Sequence, residues 1–188
     1  MSPRLITSPA EPVSGFRRVL AYRVLLLLAS LVVVLDQATK AWIHARLPFG
    51  TYGDPGAIPV VRGFFYLVHV GNTGAAWSLF TGKSAVLAVL AAATLAAIVL
   101  WRRHLGLRQT GVQICFGLLC GGIFGNLVDR LVYGHVIDFL DFHFGRYIYP
   151  TFNLADSAIC IGVGLYLLHS MRNPAEGEIT KTKVPNAK

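Results

Sequence analysis

"FNLADSAICIG" (152–162) opens an apolar run that continues to residue 171. Its length approaches the roughly 20 residues an α-helix needs to cross a bilayer. Yet an amide, Asn153, and a carboxylate, Asp156, stand at its start. An ionisable group at the edge of hydrocarbon is costly, and such a group is by default a functional-site hypothesis. Asn153 is placed to cap the N-terminus of the helix, with Asp156 in its first turn. This stretch therefore reads as a membrane-spanning helix with a polar site at one end.

The rest of the chain is of the same kind. Of 188 residues, 54% are hydrophobic and 14% charged, and the mean hydropathy is +0.57. Soluble domains carry about 25% charged residues. Three more apolar runs qualify as spans, at 19–35 (extending toward 42), 84–101 and 111–128, with the fourth at 155–171. In the third, Gly117, Gly121 and Gly125 recur at i, i+4 and i+8, one small face against which another helix can pack closely. The expected fold is mainly α and integral to the membrane: four transmembrane helices, a small extracytoplasmic β-rich cradle and an aromatic second outer loop. The domain covers 17–171, with outer loops at 47–82 and 131–152 and disordered polar tails at 1–16 and 172–188. "IPVVRGFFYLVHVGN" (58–72) has the β-branched and aromatic content of one or two strands.

The net charge of +8 does not indicate nucleic acid, because the bases cluster at the ends of the apolar runs. Eleven Lys and Arg flank the two termini and the 102–108 turn, against six around the other two loops. The positive-inside rule then puts both termini in the cytoplasm and the two long loops outside. The N-terminal run lacks a small-x-small cleavage site, so a removed secretory signal is the weaker reading. Cys115, Cys120 and Cys160 all lie in apolar runs, without CxxC spacing, and read as small buried residues rather than a disulfide framework.

Only nine acids occur in the chain, and five of them, Asp36, Asp129, Asp138, Asp141 and Asp156, fall at the outer ends of spans or just beyond. Asp36 and Lys40 stand at i, i+4, the spacing of a local ion pair. Arg130 follows Asp129 directly and so faces another way, free to orient a carboxylate or grip backbone carbonyls. Asp138 and Asp156 have no adjacent base, and the chain between them must leave the membrane and return, so they can face each other. Two carboxylates about 3 Å apart share a proton. The ionised one activates water, the protonated one donates to a carbonyl oxygen, and an amide is hydrolysed.

Other chemistries stay open. Asp36, Asp138 and Asp156 could form the ion path of a small transporter, or the acids could only pair with bases in a scaffold. A Ser–Lys dyad of Ser78 with Lys83 or Lys40 is conceivable. HExxH and GxSxG motifs are absent, and His44, His69, His104, His135, His143 and His169 show no metal spacing, so no metal is expected.

Five short motifs narrow the choice: "DQATK" (36–40), "NTGAAWS" (72–78), "GGIFGNLVDR" (121–130), "VIDF" (136–139) and "FNLAD" (152–156). In this order, across 20–171, they resemble the lipoprotein signal peptidase (signal peptidase II) family, membrane aspartyl proteases of bacteria. The resemblance implies that Asp138 and Asp156 are the catalytic dyad. It implies that Asp36, Lys40, Asn72, Gly122, Asn126, Arg130, Asn153 and Ala155 shape the site, Gly122 and Ala155 by leaving room for substrate backbone. The implied substrate is a prolipoprotein carrying a diacylglyceryl cysteine, cut on the N-terminal side of that cysteine. Implied too are the bacterial cytoplasmic (inner) membrane, an active site near the outer leaflet, contact with membrane lipids, inhibition by cyclic peptide antibiotics, a monomer, no nucleic acid and no cofactor.

Overall fold

In a computed structural model the chain is described over residues 19–53, 55–75 and 79–172. The expected tail at 1–16, residues 173–188 of the tail expected over 172–188, and Ser78 of the conceivable Ser–Lys dyad lie outside the described residues, while Arg172 ends the last helix. The elements run α1 (Arg23–Arg46), β1 (Ile58–Val61), β2 (Phe65–Asn72), α2 (Ser84–Leu100), α3 (Thr110–Val132), β3 (Val136–Phe144), β4 (Tyr147–Ile148) and α4 (Leu154–Arg172). Helices α1, α3 and α4 are long and apolar enough to cross a membrane, while α2 is apolar but has 17 residues.

Helix α3 is the centre. Its apolar window is 56% buried, against 17% for α1 and for α4. Glycine makes this possible. A Cβ on Gly121 would stand 2.8 Å from the Ala29 carbonyl oxygen, and one on Gly117 3.1 Å from that of Leu25. The stripe of small residues in α3 is thus the seam against α1. Gly122 points the other way, and a side chain there would run into the Ala155 carbonyl of α4. The room beside Gly122 is filled by α4, so Gly122 and Ala155 act here as a helix–helix contact rather than as open space.

At its N-terminus α1 has no side-chain cap of its own. Gln113 of α3 supplies one: its Oε1 accepts from the Val24 and Leu25 amides (3.2 and 3.3 Å), and its Nε2 donates to Ala21 O at 2.8 Å. Two first-turn N–H groups that no helix can satisfy internally are met in this way.

The strands form one antiparallel sheet in the order β1-β2-β3-β4. The two strands expected in 58–72 are present. The second outer loop, expected as a loop over 131–152, is instead the end of α3 followed by the nine-residue strand β3 and the short β4. Its two acids, Asp138 and Asp141, are three apart, so the two-residue alternation of a half-buried strand is hidden. Ile137 and Phe139 on one face of β3 pack with Ile43 and Leu47 at the end of α1. Asp138 takes the other face, opposite Val70 in the ladder and diagonal to Asn72. The sheet therefore holds Asp138 above the meeting point of α1, α3 and α4.

Candidate active site

Asn153 closes the N-terminus of α4 through a reciprocal pair. Its Oδ1 accepts from the Asp156 amide at 2.9 Å, and its own amide donates to Asp156 Oδ2 at 3.3 Å. This is a capping box built from Asn and Asp. The same side chain donates through Nδ2 to Asp138 Oδ1 at 2.8 Å and to Asn126 Oδ1 at 3.1 Å. One amide thus ties the strand aspartate to the helix aspartate.

Lys40 sets the orientation of the rest. It is 2% exposed, and its ammonium meets Asp36 Oδ2 and Asp129 Oδ2 at 2.8 Å each and Asn126 Oδ1 at 3.0 Å. An ammonium has three donors and no acceptor, so all three are used and the Asn126 oxygen must face it. The Asn126 amide nitrogen then points the other way and donates to Asp156 Oδ1 at 2.7 Å. Asp36 Oδ1 accepts from the Ala155 amide at 3.0 Å, in the first turn of α4. Asp129 Oδ2 also accepts from the Ile137 amide at 3.1 Å, the residue beside Asp138. The Asp36–Lys40–Asp129 group therefore fixes both chain segments that carry Asp138 and Asp156.

Asn72 completes the surroundings of Asp138. Its Oδ1 accepts from the Gly74 amide at 2.9 Å, which leaves its Nδ2 to donate to Asp138 Oδ2 at 2.9 Å. Arg130 reaches over from α3 and donates to Gly74 O at 3.0 Å and to Asn126 O at 3.4 Å, gripping backbone as its place in the sequence suggests. Asp138 is 2% exposed. Burial pushes its carboxyl up to about 7, and the Asp156 carboxylate adds to the rise. The bonds from Asn72 and Asn153 oppose it.

Asn72, Asn126, Arg130, Asp138 and Asp156 line a cleft of about 610 Å³. Val70, Phe152, Ile159 and Cys160 line it among them. Cys160 is therefore exposed rather than buried, while Cys115 is buried as expected. That size suits a substrate segment or a drug-sized ligand. A cleft that mixes carboxylates and amides with apolar side chains has room for an amide bond attached to a greasy group.

All ten residues singled out from the sequence lie in this network or in the helix contact beneath it. Asp141 does not join it. Its carboxylate is buried further along β3, with Oδ2 2.7 Å from His143 Nε2. Two further participants emerge only in the structure. Asp129 stands out in the sequence as an acid without an assigned place in the site. Gln37 does not stand out at all, although its Nε2 donates to Asp36, Asp129 and Gly125 O (3.1, 2.9 and 3.2 Å). Asp129 falls three residues after Asn126, so helical spacing puts both on the face that Lys40 meets. Gln37 carries no such signal in the sequence. Among the described residues no cluster of His, Cys, Asp and Glu suits a metal ion.

Comparison with known proteins identifies the family. The family model described as signal peptidase (SPase) II matches residues 28–172. A lipoprotein signal peptidase of Aeromonas hydrophila is 42% identical over 157 residues, covering 81% of this chain and 91% of that protein. One of Nitratidesulfovibrio vulgaris is 39% identical over 161 residues, covering 83% and 94%. A solved bacterial membrane enzyme superposes with a TM-score of 0.71 at 29% identity, covering 87% of this chain and 93% of the other. A second such enzyme gives 0.68 at 31% identity, covering 79% and 93%.

Proposed function

The chain belongs to the signal peptidase II family, and on that premise we propose that Asp138 and Asp156 are its catalytic pair. It is a membrane aspartic peptidase that removes the signal peptides of prolipoproteins. The observation that carries the assignment is the Asn153 side chain, which touches Asp138 and caps the turn holding Asp156, with both aspartates opening on one cleft.

Asp138 holds the shared proton and Asp156 is the ionised partner, in keeping with the burial that lifts the Asp138 carboxyl to about 7. Asp156 takes a proton from water as the water oxygen attacks the scissile carbonyl carbon. Asp138 gives its proton to the carbonyl oxygen, and a neutral gem-diol forms. Collapse breaks the C–N bond, the amine leaves with a proton from Asp156, and the proton on the diol returns to Asp138. Asn72, Asn126 and Asn153 hold the carboxylates without titrating themselves. Arg130 holds the 72–74 segment beside the pair, and the Asp36–Lys40–Asp129 group holds the two backbones from behind.

The substrate reading rests on the family and is in keeping with a cleft that mixes polar and apolar side chains. A prolipoprotein with a diacylglyceryl cysteine presents an amide and acyl chains together, and cleavage falls on the N-terminal side of that cysteine. A cyclic peptide antibiotic lying in the cleft would block the pair. Helix α2, about 26 Å long at 1.5 Å per residue, nearly matches a bilayer core of about 30 Å. It supports a count of four spans; the proposal adds both termini in the cytoplasm of a bacterium, the site at the outer leaflet of the inner membrane, and a monomeric unit among lipids.

Purified protein incubated with a diacylated prolipoprotein should release a fragment whose new N-terminus, by mass, is the lipidated cysteine. Asp138→Asn and Asp156→Asn should each leave the substrate intact while unfolding cooperatively on heating. Cleavage by either variant at the parent rate overturns the assignment.

A further inference from the structure

The end of the sheet farthest from the cleft is built unlike a soluble surface. β3 spans about 30 Å from its start at Val136, beside the end of α3, to the β3–β4 turn. There the β1–β2 turn (62–64) and the β3–β4 turn (145–146) lie side by side. The His143 amide donates to Phe64 O at 2.7 Å, and the Phe64 and Phe144 rings stand 5.5 Å apart, edge to face. The tips are greasy and open: Val61, Phe64, Phe144 and Tyr147 are 40–55% exposed. Each turn also carries one exposed arginine, Arg62 and Arg146, and the segments 58–66 and 142–151 contain no acid. Asp141, which precedes the second segment, is wholly buried and faces His143.

Exposed aromatic side chains beside arginine, at the end of a sheet that grows out of membrane helices, match the chemistry of a headgroup layer. Rings enter the interface and guanidinium groups pair with phosphate oxygens. We propose that the two adjoining turns, through Arg62 and Arg146, are a landing surface for anionic lipid headgroups, which holds the cradle flat against the membrane. The proposal rests on the membrane reading of the helices and is independent of which residues hydrolyse the peptide.

The test is amide hydrogen exchange of the full chain in nanodiscs, either neutral phosphatidylcholine or the same lipid with about a third phosphatidylglycerol. Nanodiscs show the same lipid on both faces, so orientation does not enter. Each basic side chain near an anionic surface is worth about fivefold in occupancy, so the pair is worth about 25-fold. Amides of 60–66 and 142–148 should exchange many times more slowly in the anionic discs, and 0.5 M salt should remove most of the difference, in keeping with charge screening. The double variant Arg62→Gln/Arg146→Gln should lose that difference while exchange in α3 and cleavage in neutral discs stay as in the parent. Equal exchange in both lipids overturns the proposal, and so does lipid-dependent protection that survives in the double variant. Protection that follows protein concentration instead of lipid charge would assign the surface to a second copy of the chain and overturn it too.

Discussion

Replacing Asp138 by Asn separates the charge of the site from its shape, and stability should report the difference as a function of pH. The folded carboxyl is raised from 3.8 to about 7, so the folded protein binds this proton more tightly than the unfolded chain. Its contribution to stability is therefore complete below pH 4 and is lost as pH rises through 7. Within that window each pH unit removes about 1.4 kcal/mol. Going from pH 5 to pH 8 should cost the parent about 3 kcal/mol, or about 10 °C in Tm for a protein of this size. The amide of the Asp138→Asn variant does not titrate, so its curve should lack this slope.

The amide has a cost of its own. Two N–H donors, from Asn72 and Asn153, converge on the two oxygens of Asp138. An Asn can accept with only one. The flanking amides cannot turn over without releasing the Gly74 and Asp156 amides that their oxygens hold. One donor is left facing another, at about 1–3 kcal/mol. The variant should be the less stable protein at pH 5 and the equal of the parent, or better, at pH 8. Thermal unfolding followed by intrinsic fluorescence in a neutral detergent, at four pH values across this range, reads both curves, and the difference between them cancels the histidines. Parallel curves would refute the claim that Asp138 carries a raised, buried proton, and with it the general-acid role. Under the same reasoning, cleavage by the parent should decline as pH rises above 7, since the proton given to the carbonyl oxygen is then missing.

Other substitutions test the support beneath the pair. Lys40→Met strands the buried Asp36 and Asp129 carboxylates, and the loss of one partner in a buried pair costs about 3–5 kcal/mol. Its melting temperature should fall sharply and its cleavage should vanish. Gly122→Ala drives a methyl into the Ala155 carbonyl, and overpacking of this kind costs about 1–3 kcal/mol. Because Asp156 sits one residue further on, kcat measured at a temperature where the variant is folded should fall at least several-fold. Gln113→Leu removes the cap that α3 lends to α1, at about 1–3 kcal/mol. It should melt earlier yet cleave at nearly the parent rate in the cold, being at the opposite end of α3 from the cleft.

What can be read from the sequence follows from periodicity and from cost. Apolar runs long enough to span a bilayer leave little choice of element, so the helices are legible to within a few residues. The exceptions are two C-terminal ends: α1 runs on to Arg46 and α3 to Val132, through the polar residues that bind the ends together. Acids in an apolar chain stand out for the same reason, and this marks Asp36, Asp138 and Asp156. β3 is hidden because its pattern serves two purposes at once. One face packs on α1, the other carries a carboxylate to the cleft, and Asp141 adds a polar residue off the expected alternation. Gln37 is hidden because an amide next to an acid on a helix is unremarkable until its partners, 88 and 92 residues away, are in place.

The charges of the site explain why so many uncharged amides surround it. Four carboxylates, Asp36, Asp129, Asp138 and Asp156, are drawn together near only two cations, Lys40 and Arg130. Lys40 is fully committed to Asp36, Asp129 and Asn126. Arg130 donates to the backbone carbonyls of Asn126 and Gly74. The Asp138–Asp156 pair is therefore held by amide donors, which stabilise a carboxylate without neutralising it. A lysine or arginine in direct contact would hold both acids ionised and abolish the shared proton. Amides permit one acid to stay protonated at neutral pH while fixing both in place. Lys40 is held in the buried ion group and Arg130 on backbone carbonyls, and that separation from the pair is what the proposed division into acid and base requires.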